Sequence, residues 1–237
     1  MKKFFSVVFV LLAVAALVRA DYYVKSKYHS DPMNMPGASQ PAKDEIHEQW
    51  IGGDKFANIT PDMSIVMDLG KSKAWLINHK DKTYVETALP LDMAKLLPPE
   101  MAGMMGMMKP TVAVESTGAK KTLGQWACSG YNVSITMMMM PIKMSVWATE
   151  NVPFDLNTYL TKMFSNYMKG ALRLDDASIA EMKKVKGFWI SQEMSMDIMG
   201  TKINSSSQVQ EITQKAAGPG VYSIPAGYTQ AKFLSMR

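Results

Sequence analysis

The chain of 237 residues encodes a mainly β domain of the α+β class: a curled antiparallel sheet, or half-open β-barrel, with helices across its concave side. Three observations predict it. Short apolar runs recur at roughly ten-residue intervals between Gly/Lys/Asp turns, as in a meander of strands. Two helix-compatible stretches interrupt them. A sheet of about eight to ten strands with one apolar face curls, and must be covered.

Taken in order, Tyr22 to Tyr28 alternates and is β-rich, and 31–43, with Pro32, Pro36, Gly37 and Pro41, is a loop. Glu45 to Ile51 follows, with Ile46 and Trp50 as its bulky side chains, and Gly52-Gly53-Asp54-Lys55 turns the chain. Phe56 to Ile59, Met63 to Leu69, Ala74 to Asn78 and Thr83 to Thr87 continue the meander through Gly70-Lys71-Ser72-Lys73 and His79-Lys80-Asp81-Lys82. Pro90 to Leu97 is helix-compatible and stopped by Pro98-Pro99; Glu100 to Lys109 is a second short helix ended by Pro110. Thr111 to Ser116 returns to strand, and Cys128 to Met139 with Ile142 to Thr149 forms a hairpin bent near Pro141. In Asp155 to Met168, Leu156, Tyr159, Leu160, Met163, Phe164 and Tyr167 fall on one helical stripe. Asp175 to Lys186 is a further helix, opened by the acidic pair Asp175-Asp176. Gly187 to Met199, the turn at Gly200-Thr201 and Lys202 to Thr213 form a last hairpin before an extended tail.

Residues 1–20 have the three-part pattern of a secretory signal peptide: Lys2 and Lys3, an uncharged, mostly apolar run from Phe4 to Val18, and a Val18-Arg19-Ala20 end. Cleavage near Ala20 leaves 21–237 as a single domain, periplasmic or secreted. Loss of Lys2, Lys3 and Arg19 takes the net charge from +5 to +2, and no basic stripe with interleaved aromatics remains, so nucleic acid is not an expected partner. The lone Cys128 excludes an intramolecular disulfide, and burial is its expected state.

Methionine is the compositional oddity, with 23 residues. Met101, Met104, Met105 and Met108 share a helical stripe in a segment softened by Gly103 and Gly106. Met137, Met138, Met139 and Met140 put two thioethers on each face of a strand, and Met194 and Met196 point one way in the last hairpin. Thioethers repack around different shapes at low strain, which suits hydrophobic recognition as well as plain core filling. These ten methionines, together with Trp147, are the candidate ligand-binding residues. A Cu(I) site of thioethers, with His29, His47 or His79, is a third reading, and neither a metal nor another cofactor is expected. The chain carries no Gly-x-Ser-x-Gly elbow, His-Glu-x-x-His or phosphate-binding Gly-Lys-Ser/Thr loop, so enzymatic activity is not expected.

The segments Trp50-Ile51-Gly52-Gly53-Asp54-Lys55, Ile65-Val66-Met67-Asp68-Leu69, Ala74-Trp75-Leu76-Ile77-Asn78 with Lys82-Thr83-Tyr84, Gly124 to Tyr131, Val146-Trp147-Ala148-Thr149-Glu150 and Ile224-Pro225-Ala226-Gly227-Tyr228 follow one another in an order that resembles a family of exported bacterial domains with the LolA/LolB-like lipoprotein-carrier fold. The resemblance spans residues 44–228. It implies a half-open barrel with helices in its concavity, and a non-enzymatic carrier that shields a lipid or acyl chain. The expected partner is therefore a hydrophobic small molecule or lipid, with only transient membrane contact. The alternative is an interaction protein that docks an envelope protein through a methionine-rich surface.

Overall fold

The structure is a computed structural model that describes residues 20–35, 38–101, 110–137, 140–171, 174–198 and 200–235. Its strands are β1 (Asp21–Ser30), β2 (Met33–Met35), β3 (Ala38–Gln40), β4 (Lys43–Ile51), β5 (Lys55–Ile59), β6 (Met63–Asp68), β7 (Lys73–Asn78), β8 (Thr83–Ala88), β9 (Thr111–Leu123), β10 (Trp126–Met137), β11 (Met140–Thr149), β12 (Phe188–Ile198), β13 (Thr201–Lys215) and β14 (Thr229–Gln230). Its helices are α1 (Met93–Leu96), α2, composed of Leu156–Thr158, a π-helical stretch Tyr159–Phe164 and Ser165–Ala171, and α3 (Asp176–Met182).

Twelve strands form one curled, unclosed sheet in the order β14-β8-β7-β6-β5-β4-β1-β13-β12-β11-β10-β9, with β2 and β3 as a separate hairpin. β1 lies in the middle and joins the two halves by pairing with β4 on one side and β13 on the other. Three details differ from the sequence expectation. The proline-rich stretch 31–43 holds the β2–β3 hairpin. β9 runs on through Gly118 to Leu123. β14 pairs parallel to β8 in an otherwise antiparallel sheet. In the first two cases pairing with the next strand in sequence, and in the third long-range pairing, sets structure that local propensity does not mark.

The turns after β6 and β7 share one chemistry. Asp68 Oδ1 accepts from Lys71 N–H at 2.9 Å and Asn78 Oδ1 accepts from Asp81 N–H at 2.9 Å. Each turn then passes through a left-handed residue, Ser72 (φ 52°) and Lys82 (φ 50°). Side-chain to backbone bonds of this kind hold a four-residue loop whose left-handed position is filled by a residue other than glycine. Gly187 is needed for its own reason: at φ 116° a Cβ would sit 2.4 Å from the Thr149 carbonyl oxygen.

Register shifts fall at Lys25/Ser26 between β1 and β13, at Trp147/Ala148 between β11 and β12, and at Ser129/Tyr131 between β9 and β10. They lie at one level, because Lys27, Gln208, Ser191, Trp147 and Gly130 are successive cross-strand partners just beside them. Bulges bend strands and raise their twist, so a row of them creases the sheet.

Three apolar clusters hold the layers together. The main one packs Val24, Ile51, Phe56, Met67, Leu76 and Val85 with α1, α2 and Leu234. A second joins Val114, Tyr131, Val133, Ile135 and Val146 to Ile179, Met182 and Val185 in and after α3. The third buries Tyr23, Trp50, Ala57, Val66 and Ile77 under Ala217, Val221, Tyr222 and Tyr228 of the C-terminal segment. The β1 and β4–β7 half is therefore apolar on both faces. α2 presents the stripe read from the sequence, and its Phe164 and Tyr167 touch both the first and the second cluster. α3 also guards the β9 edge: Val114 N–H donates to Glu181 Oε2 at 3.4 Å and Ser178 Oγ donates to the Pro110 carbonyl at 3.3 Å. Among the described residues no helix is long and apolar enough to cross a membrane.

Two methionines separate core filling from surface chemistry. Met67 is fully buried, whereas Met194 is half-buried on β12. Met67→Ala is expected to cost about 2–5 kcal/mol in urea unfolding, and Met194→Ala less than about 1 kcal/mol. Equal losses would make both ordinary core residues.

Candidate ligand-binding site

The helices fill the concave side. Where α2 and α3 meet β12, Leu160, Phe164, Ile179, Met182, Val185 and Trp189 leave only about 10 Å³. Open volume reaches the apolar interior at the N-terminal end of α2 instead, as a mouth of about 320 Å³ between that helix, the start of β1 and the β4–β5 turn.

Five core side chains reach this mouth: Tyr22, Ile51, Phe154, Tyr159 and Met163. The Phe154 ring centroid lies 5.7 Å from Tyr22, 5.7 Å from Tyr159 and 5.2 Å from Phe188, and Tyr159 lies 5.1 Å from Phe188. Such tilted and edge-on pairs add to simple area burial. Burial drives the Tyr159 hydroxyl far above the usual tyrosine range, so it stays neutral. Asp21, Asp155, Thr158, Lys162 and Gln214 form the polar rim. Gly52 lets the β4–β5 turn approach, since a Cβ there would lie 3.0 Å from Asp21 Oδ1. Tyr222 O–H donates to Asp21 Oδ2 at 2.8 Å.

The helix over the mouth is locally widened. Asp155 caps it, accepting from Thr158 N–H at 3.0 Å and Thr158 O–H at 2.7 Å, and these bonds hold its carboxyl below the usual range. The Leu160 carbonyl then accepts from both Ser165 N–H, five residues on, and Ser165 O–H at 2.6 Å. π-helical turns are rare, poorer in hydrogen-bond geometry, and frequent at functional sites.

The sequence-predicted residues fall into separate places. Met101 is half-buried against the main cluster. Met104, Met105, Met108, Met138 and Met139 lie outside the described residues, and so does the side chain of Met140. Met137 pairs with Met140 across the β10–β11 hairpin, and the next matched pairs on β11 and β12 are Ile142 with Met196 and Met144 with Met194. Met137, Met194 and Met196 thus share one face, the face on which Ile142 and Met144 pack against the second cluster. Met144 completes that row; alternation from Met140 through Ile142 was the signal for it. Trp147 is separate, on the opposite face. Its indole lies where a side chain at Gly130 would stand 3.1 Å away, with Lys121 Nζ 4.1 Å from a ring centroid. The π-helical mouth itself was missed, because helix widening leaves no mark in apolar periodicity.

Cys128 is buried, and burial pushes its thiol upward. His79 faces Ser64 Oγ at 2.7 Å through Nε2 and Tyr228 OH at 3.0 Å through Nδ1. A Ser–His contact invites a nucleophile reading, but Ser64 is only 4% exposed, so the trio acts as a clasp between sheet and C-terminal segment. No family model matches the chain, and no curated protein matches it in sequence.

The clasp carries a pH signature. Burial lowers the His79 pKa below its ordinary 6.5, opposed by nearby Asp62. Below that ordinary value the unfolded chain takes up a proton that the folded site resists. The contribution is therefore full above pH 6.5 and declines as pH falls toward the folded pKa. Urea midpoints at pH 7.5 and 5.5 (about one unit either side of that value) are expected to differ less in His79→Gln than in the wild type. An identical pH dependence in both proteins would remove His79 as the cause.

Proposed function

We propose that the protein is a non-enzymatic binding or carrier protein for a hydrophobic, lipid-like molecule, working outside the cytoplasm after removal of residues 1–20. The observation that carries this reading is the mouth of about 320 Å³, where the aromatic and thioether core meets solvent under the π-helical part of α2. A ligand would insert its apolar part between α2 and the sheet and leave its polar end among Asp21, Thr158, Lys162 and Gln214. The closed seam between α2, α3 and β12 requires α2 to shift for a long chain to enter. Unbranched side chains such as Met163 and Met168 tolerate such repacking. An unclosed sheet with helices across its apolar face also fits the LolA/LolB-like resemblance.

A second reading rests on the methionine row of β10–β12. Met137, Met144, Met194 and Met196 stand half-buried on one face, a surface suited to docking an envelope protein.

Titration with the neutral fluorophore N-phenyl-1-naphthylamine tests the carrier reading. The wild type is expected to bind with an emission increase, and Thr158→Trp, which plugs the mouth, to weaken binding about tenfold, a loss near 1.4 kcal/mol, while loss of the Thr158 O–H bond to Asp155 costs less than about 1.5 kcal/mol in urea unfolding. Absence of binding by the wild type overturns the reading.

A further inference from the structure

The opposite face of the same strands holds a second, chemically different space. Glu115, Asn132, Ser145, Glu193, Ser206, His29 and Asp44 are successive cross-strand partners from β9 to β4, an unbroken row over seven strands. Ser134, Lys143, Ser195 and Asn204 form a parallel row beside it. Six steps of about 4.8 Å make the first row about 29 Å long. The surface is hollow there: a groove of about 710 Å³ lies over both rows. It shares His29, Glu193 and Ser206 with a further groove of about 520 Å³ that runs over Gln208 and Gln210 toward Trp126.

Three features set this trough apart from a plain solvated sheet face. Its residues run against strand preference: Asn is depleted in strands, and the β-branched and aromatic types that stabilise exposed faces are absent from both rows. Departures of that kind concentrate at functional sites. Next, Asn132, Ser134, Ser145, Ser195 and Ser206 lie side by side, yet among the described residues none of these side chains has a hydrogen-bond partner. Finally, the polar and charged side chains at the β1 end already have partners. His29 lies 3.2 Å from Asp44 and 3.4 Å from Asp31, Lys27 lies 3.9 Å from Asp44, and Asn204 Nδ2 donates to Asp31 at 2.8 Å. In the centre Lys143 stands among Glu115 and Glu193.

We propose that this trough binds a neutral, linear oligosaccharide. Hydroxyl and amide groups both donate and accept, which matches the hydroxyls of a sugar chain, and the excess of carboxylates over lysines along the trough selects against polyanions. An extended peptide fits less well, because a sheet face offers it no backbone pairing. The site is independent of the mouth under α2.

Isothermal titration of the full-length mature protein with maltohexaose, cellohexaose and chitohexaose tests the proposal, with a neutral hexapeptide as the competing class. At least one hexasaccharide is expected to bind. Ser145→Trp, which fills the trough, should weaken that binding at least tenfold, and the milder Glu193→Gln should weaken it several-fold, while both variants keep the N-phenyl-1-naphthylamine response of the wild type. Failure of all three sugars, binding that survives both substitutions, or binding of the hexapeptide alone overturns it.

Discussion

The crease made by aligned bulges is the constraint from which the rest follows. Antiparallel pairing alone would give twelve strands a steady twist. The shifts at Lys25/Ser26, Trp147/Ala148 and Ser129/Tyr131 instead concentrate bending at one level of β9–β13. On one side of that level Trp126, Cys128, Phe188, Ile190 and Val209 turn into the main core. On the other, Tyr131, Val133, Ile135 and Val146 form a separate core under α3. A single helix, α2, then has to serve both, and its widened middle places Tyr159 in one and Met168 in the other.

Much of the fold was legible in residue order. Alternation with Gly/Lys/Asp turns located β4 to β8, and the pair Asp175-Asp176 marked the start of α3, where Asp175 caps Ser178 N–H at 2.8 Å. The stripe from Leu156 to Tyr167 gave both the existence of α2 and its buried face. The β2–β3 hairpin and the continuation of β9 past Gly118 were not legible. Both are pairings between neighbouring strands, one in a proline-rich stretch and one past a glycine opposite an irregular register, and local preference reads both places as breaks.

The candidate sites were legible only in part. Thioether composition pointed to methionine, and the structure does gather Met137, Met144, Met194 and Met196 on one face while placing Met101 and Trp147 elsewhere. The mouth under α2 is assembled from the first residues of β1, the β4–β5 turn, one helix and Gln214 near the end of β13, four places that no spacing rule connects. Only Gly52-Gly53 hinted at it, and a double glycine reads first as a turn.

The polar trough and the methionine row are consequences of the same register. On β12 Glu193 and Ser195 look one way while Met194 and Met196 look the other, and on β11 Lys143 and Ser145 alternate with Ile142 and Met144. Because strand side chains repeat every two residues, slipping one strand by a single position would send thioethers into the trough and serines onto the apolar face. Pairing partners on both sides hold β10 to β13 against such a slip, and the bulges pin where each strand must start counting. Two surfaces of opposite chemistry can therefore be written into one set of strands, and a substitution that fills one face need not disturb the other.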